Sequence, residues 1–187
     1  MTTPYRSTIA ITRLARFIAK CKGLVVPEGD FGSDVEGTKP IFFDVGMDER
    51  KMEEALGECH KHLGNNATVL YDYVSNRENS NRENWMKAAG AAWDCYFAGN
   101  FHGWEDERVV MVGDGGGFLM EQITRAKTKL YFWLVDHGYG SYYSEAKGYF
   151  QQAAEEGLVE IVKLNDAEPN EGNEGSDEVK EVEEVIK

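Results

Sequence analysis

The chain is poor in cysteine, poor in basic residues and without any long hydrophobic run, and each shortage closes off a class of protein. Cys21, Cys59 and Cys95 are odd in number, far apart and without CxxC spacing. That argues against a disulfide framework or a thiolate zinc site and fits a reducing, cytoplasmic setting. No apolar stretch approaches the ~20 residues that span a bilayer, so no membrane partner is expected. Lys and Arg total 20 against 33 Asp and Glu, a formal net charge of -13. Since no basic stripe survives beyond the first turns of the chain, direct nucleic-acid binding is not expected.

What remains is enough for one domain. The 187 residues are 42% hydrophobic and include nine Phe, nine Tyr and four Trp, the composition of a chain that buries a core. Acid is concentrated at one end. Residues 165–187 hold nine acids against Lys180 and Lys187, a net of -7, which leaves -6 of the -13 for the preceding residues. Between Glu168 and Glu178 too little apolar surface is available to offset ordering entropy, so an acidic disordered tail is expected, with Val179 to Ile186 able to fold as a short helix on a protein partner. Met1 to Lys22 carries Arg6, Arg13, Arg16, Lys20 and Lys22 and no acid. This segment reads as an amphipathic helix, with Leu14, Phe17, Ile18 and Cys21 on one side, packed on the domain; a mitochondrial presequence is the alternative. The division expected is therefore residues 1–38, a domain at 39–164, and the tail at 165–187.

Within the domain, apolar runs alternate with helical periodicity, which predicts a Rossmann-like α/β fold of three layers with a mostly parallel sheet of about five strands. Strands are expected at Ile41 to Val45, Thr68 to Val74, Arg108 to Val112, Leu130 to Val135 and Leu158 to Leu164, with a further short one at Leu24 to Val26. Helices are expected after Gly46, from Asn84 to Ala98, after Gly115-Gly116-Gly117, and from Ser141 to Glu156. The polar near-duplicate from Asn76 to Asn84 reads as a loop.

Asp44, Asp72, Asp114 and Asp136 each fall at or near the carboxyl end of a predicted strand. In open parallel sheets that edge binds ligands, because loops and helix N-termini converge there. Carboxylates gathered in one place repel unless a hard cation sits among them, which points to Mg2+ with Asp44, Asp114 and Asp136 as ligands. Asp72 and Asp136 read equally well as turn or helix caps.

Three segments in order then resemble the haloacid dehalogenase-like phosphatases. Lys39-Pro40-Ile41-Phe42-Phe43-Asp44-Val45-Gly46 is similar to the first motif, an apolar strand ending in the nucleophilic aspartate. Val69 to Asn76 resembles the second, whose Ser or Thr holds the transferred phosphoryl group, here Ser75 with Asn76 beside it. Val109-Val110-Met111-Val112-Gly113-Asp114-Gly115 resembles the fourth, a strand ending in a Mg2+-binding Gly-Asp. Lys87 would be the charge-neutralising lysine of the third motif. The resemblance covers residues 39–138 and implies a Mg2+-dependent protein acting on, or binding, a phosphorylated small molecule or nucleotide. Two acids of the pattern are missing. The position of the leaving-group acid is Gly46, and the second acid of the fourth motif is Phe118. General acid catalysis contributes roughly 10²- to 10⁴-fold, so weak or lost phosphatase activity follows unless Asp48 substitutes; Glu121 lies one helical turn beyond the second vacancy.

Other readings use the same residues. Asp114-Gly115-Gly116-Gly117 followed by Glu121 is loosely similar to the strand-to-helix turn of nucleoside deoxyribosyltransferases, where the glutamate is catalytic and the glycines approach the nucleotide. A glycine run before a helix suits a phosphate, and equally suits a turn that needs positive φ. Cys59 and His62 are placed at helical spacing to share an ion, or the histidines simply favour a helix C-terminus. The non-enzymatic alternative is an acidic interaction protein, of the kind that inhibits a basic or nucleic-acid-binding host protein, using its acidic surface or tail. A catalytic or ligand site predicts aspartates gathered in a cleft, whereas an interaction surface predicts them spread apart.

Overall fold

In a computed structural model, the described residues are 7–26, 28–29, 32–72, 93–100, 104–117, 119–138 and 141–166. They form α1 (Ile9–Cys21), β1 (Ile41–Gly46), α2 (Glu49–Leu63), β2 (Thr68–Tyr71), β3 (Asp94–Phe97), a 3-10 turn (Ala98–Asn100), β4 (Asp106–Gly113), α3 (Leu119–Ile123), β5 (Ala126–Val135), α4 (Tyr143–Glu155) and β6 (Glu160–Val162). The six strands make one sheet in the order β3-β2-β4-β5-β1-β6, and every pairing is parallel.

The central strands are apolar over their carboxyl-terminal parts, Val109 to Val112 and Leu130 to Val135, where both faces are covered. On one face Phe42, Leu70, Val109, Met111, Leu130, Phe132 and Leu134 pack with residues of α1, α3 and α4. Their neighbours in sequence, Phe43, Val69, Val110, Val112, Tyr131 and Trp133, point the other way, toward Ala55, Cys59 and Leu63 of α2. The period-2 alternation of side chains thus builds two cores and three layers. On the first face Phe150 of α4 stacks on Phe42 at 4.5 Å between ring centres.

The basic N-terminal segment is a core element. Ile11, Leu14, Ala15 and Ile18 of α1 are buried in the first cluster, with Phe17 packed against it. No side chain caps the start of α1. Instead the amides of Ile9 and Ala10 donate to the carbonyls of Val35 and Glu36, which satisfies helix-end donors that would otherwise be orphaned.

The described residues place six strands in the sheet, in keeping with the expected mostly parallel sheet of about five. Two expectations differ from the structure. Residues 24–26 form no strand, because the Leu24 amide donates to the Ala19 carbonyl and turns the chain back as the end of α1, leaving Leu24 and Val25 exposed. The expected helix at Asn84 to Ala98 ends instead in β3, which adds to β2 with Thr68 opposite Asp94 and Tyr71 opposite Phe97. Cys95 and Phe97 face inward while Asp94 and Tyr96 face out, the period-2 alternation of an edge strand. The rest of that expected helix and residues 167–187 lie outside the described residues.

Candidate functional site at the carboxyl edge of the sheet

Asp44 shares the strand face of Phe42, so its side chain turns toward α4 rather than α2. Its pairing with β5 is interrupted there: Asp44 lies opposite Leu134 and Gly46 opposite Val135, which leaves Val45 as a bulge. Gly46 follows at φ 62, turning the chain toward α2. Bulges of this kind re-aim a strand end and are frequent beside functional sites.

Two residues one turn apart on α4 close on Asp44. The Tyr143 hydroxyl donates to Oδ1, and the Lys147 ammonium lies 2.8 Å from Oδ2. The Asp44 and Lys147 side chains are 30% and 37% exposed, so the pair is half-buried. Lys147 Nζ also lies 5.7 Å from the centre of the Tyr143 ring. Burial, the hydrogen bond to Asp44 and the charges of Asp44 and Asp136, in that order, push the Tyr143 hydroxyl well above its ordinary pKa, so it remains a donor at physiological pH.

The adjacent residue holds the second strand-end acid. The Tyr142 amide donates to Asp114 Oδ2 at 3.2 Å, and Asp114 Oδ1 accepts from the Gly116 amide at 2.9 Å. Consecutive residues, Tyr142 and Tyr143, therefore grip Asp114 and Asp44 and bring β1 and β4 ends to one place. Asp136 joins them: its amide donates to the Gly46 carbonyl at 2.9 Å, and its Oδ1 accepts from Gly138 in a tight turn.

Asp72 lies deeper in the same edge, where the chain leaves β2 toward β3 on one side and leaves β4 toward β5 on the other. Such a divergence opens a crevice between neighbouring strands. The Asp72 side chain is only 5% exposed; Oδ2 accepts from the Asp114 amide at 3.0 Å, and His137 Nε2 stands 3.6 Å from Oδ1. Burial pushes the Asp72 carboxyl up, opposed by the nearby His137 imidazole and assisted by the charge of Asp114.

The remaining expected residues are distributed unevenly. Asp48 caps α2, its Oδ1 accepting from the Arg50 amide at 2.9 Å, which is the role its position at the helix start favours. Gly115 adopts φ 81 and is buried where a Cβ would overlap Ala146 of α4, so this glycine permits α4 to approach. The Gly116 amide is engaged by Asp114, and Gly117 is exposed. Glu121 sits in α3, whose five residues are too few to present an anion-binding terminus. The Glu121 side chain and Ser75, Asn76, Lys87 and Phe118 lie outside the described residues. Cys59 is buried and accepts from the Trp133 indole at 3.2 Å, with its thiol pushed up to about 12 by burial, while His60 stacks on Trp93. Cys59 and His60 are thus both engaged in packing at the end of α2.

Among the described residues, no group of three or more His, Cys, Asp or Glu side chains is placed to hold a metal ion together. Asp44, Asp114 and Asp136 are oxygen donors of the type Mg2+ prefers, but as placed each has at least one carboxylate oxygen bound to a protein donor, and Asp44 and Asp114 have both. This arrangement does not fit a Mg2+ site formed by these three carboxylates alone. Lys147 was not singled out from sequence as a site residue. Its signal lies in the i, i+4 spacing from Tyr143 on a helix following Asp136, which places both on the face that meets the sheet.

No family model matches the chain, and no curated protein matches it. Among solved structures, the C-terminal domain of a possible DNA helicase from Lactobacillus plantarum WCFS1 is similar, with a TM-score of 0.55, 14% sequence identity, and coverage of 84% of this chain and 98% of that one. At that identity the likeness concerns the fold: a parallel α/β sheet flanked by helices.

Proposed function

We propose that the chain binds a phosphorylated small molecule or nucleotide at the carboxyl edge of its sheet and turns it over weakly or not at all. The observation that carries this reading is the grip of Tyr142 and Tyr143 on Asp114 and Asp44, which draws strand-end acids from β1 and β4 to consecutive residues at the carboxyl edge of the sheet. Gathered acids favour a ligand site over an interaction surface, where they would be spread. Lys147 supplies a positive point charge suited to a phosphate oxygen. The similarity of the Asp44, Ser75 and Asp114 segments to phosphatase motifs supports the ligand class.

Turnover is a separate matter. Asp44 holds the position of a nucleophile, but both of its oxygens are bound to donors, and Gly46 offers no acid to protonate a leaving oxygen. Asp48 is engaged as a helix cap. Mg2+ is proposed here as an ion brought in by the ligand's phosphates, supplying charge neutralisation. The test is calorimetry and turnover with a panel of nucleotides and sugar phosphates in Mg2+, on wild type and Asp44→Asn. Saturable binding with little or no hydrolysis is expected. Robust turnover abolished by Asp44→Asn would overturn the expectation of weak activity, and binding of no ligand would favour the acidic interaction protein.

A further inference from the structure

The carboxyl edge carries Asp44, Asp72, Asp114 and Asp136, and neighbouring acids raise one another's cost of ionisation unless a cation stands among them. The cation beside Asp44 is already part of the chain. Lys147 Nζ stands 2.8 Å from Asp44 Oδ2, within a half-buried contact, and the Tyr143 hydroxyl occupies Oδ1. Both donors come from α4, a thirteen-residue helix whose Ala146 and Phe150 are anchored in the core, so they are presented by a rigid element. Meanwhile no three metal-capable side chains gather among the described residues.

From this we infer that Lys147 is the built-in cation of the cleft, standing beside Asp44 where a divalent metal would otherwise be held, so that the protein has no resident metal and its Asp44 is locked rather than poised for attack. The inference rests on reading this edge as the ligand site, yet it concerns only what balances the acids there. It assigns to Lys147 a role that motif comparison reserved for Mg2+. An ammonium on a four-carbon stem is a compact point charge with three donors, able to neutralise Asp44 and still offer a hydrogen bond to an incoming phosphate.

The experiment uses the metal alone on the full chain. Thermal unfolding is followed with increasing MgCl2 or MnCl2 against EDTA for wild type, Asp44→Asn, Lys147→Met, Lys147→Arg and the Asp44→Asn, Lys147→Met double variant. Asp44→Asn serves as the baseline for nonspecific cation binding by an acidic chain. Wild type and Lys147→Arg are expected to respond no more than that baseline. Lys147→Met, which keeps the stem and removes the charge, is expected to gain a saturable rise in Tm of about 3 °C or more at ten times its Kd for the metal, lost again in the double variant. A wild-type response exceeding the Asp44→Asn baseline would overturn the inference, as would a folded Lys147→Met that ignores the metal. Should Lys147→Met not fold, Mn2+ binding to wild type by electron paramagnetic resonance decides alone: a site absent from Asp44→Asn would refute a built-in cation, and equal binding by the two would uphold it. Failure to bind any phosphorylated ligand would leave these results unchanged and count only against the proposed function.

Discussion

Gly115 and Asp72 show how single positions at this edge are constrained. At Gly115 a side chain meets two penalties, a φ of 81 that L-residues rarely adopt and an overlap with Ala146. Gly115→Ala should therefore lower stability by about 2–4 kcal/mol, read from the urea midpoint, because left-handed strain and overpacking act together. A change below about 0.5 kcal/mol would mean that α4 does not seat on this turn. Asp72 makes a prediction about pH. Its folded-state carboxyl is pushed up by burial, so the folded protein holds that proton more tightly than the unfolded chain. The resulting stability is fully present below the unfolded carboxyl pKa and is lost as pH rises through the folded one. Asp72→Asn should flatten this acid-side loss and leave the variant more stable than wild type at neutral pH, with the advantage fading toward strongly acid solution. Urea unfolding at several pH values reads this directly; a variant that is less stable at neutral pH would show that the contact with His137 outweighs desolvation.

At the level of elements, α1 carries more of the fold than its charge suggests. Leu14 is 1% exposed and Ile18 fully buried, in the same cluster as Phe42, Leu70 and Phe132. Leu14→Ala is expected to cost about 2–5 kcal/mol, the range for a deep core truncation, measured by chemical denaturation. A loss under 1 kcal/mol would make α1 an appendage. The strands were easiest to read from sequence where they are central: β1 and the carboxyl-terminal parts of β4 and β5 are apolar runs because both faces are covered, and that run survives any error in periodicity. β3 was harder. An edge strand of four residues carries only two inward side chains, too few to distinguish alternation from the flank of a helix.

At the scale of the whole molecule, the first residues of the acidic end are held by exposed contacts. Asn165 and Asp166 touch α2 through Glu54 and Lys51, but these are exposed contacts, and surface ion pairs contribute little. Truncation after Asp166 is expected to shift Tm by less than about 2 °C in calorimetry, while a shift several times larger would place the tail against the domain. The same experiment repeated in high salt separates docking from long-range charge effects, since screening removes the latter.

The sequence by itself determined the layered parallel sheet and the placement of four aspartates at strand ends, because both follow from periodicity and chain order over a few residues. What only the tertiary structure decided is which partners those aspartates have. Tyr143 and Lys147 lie about a hundred residues from Asp44 in the chain, and Tyr142 lies 28 from Asp114. No local pattern reports such pairings. They arise when α4 packs on the sheet and its N-terminal turns come down over the ends of β1 and β4, so these carboxylates are partnered by a phenol, an ammonium and backbone amides.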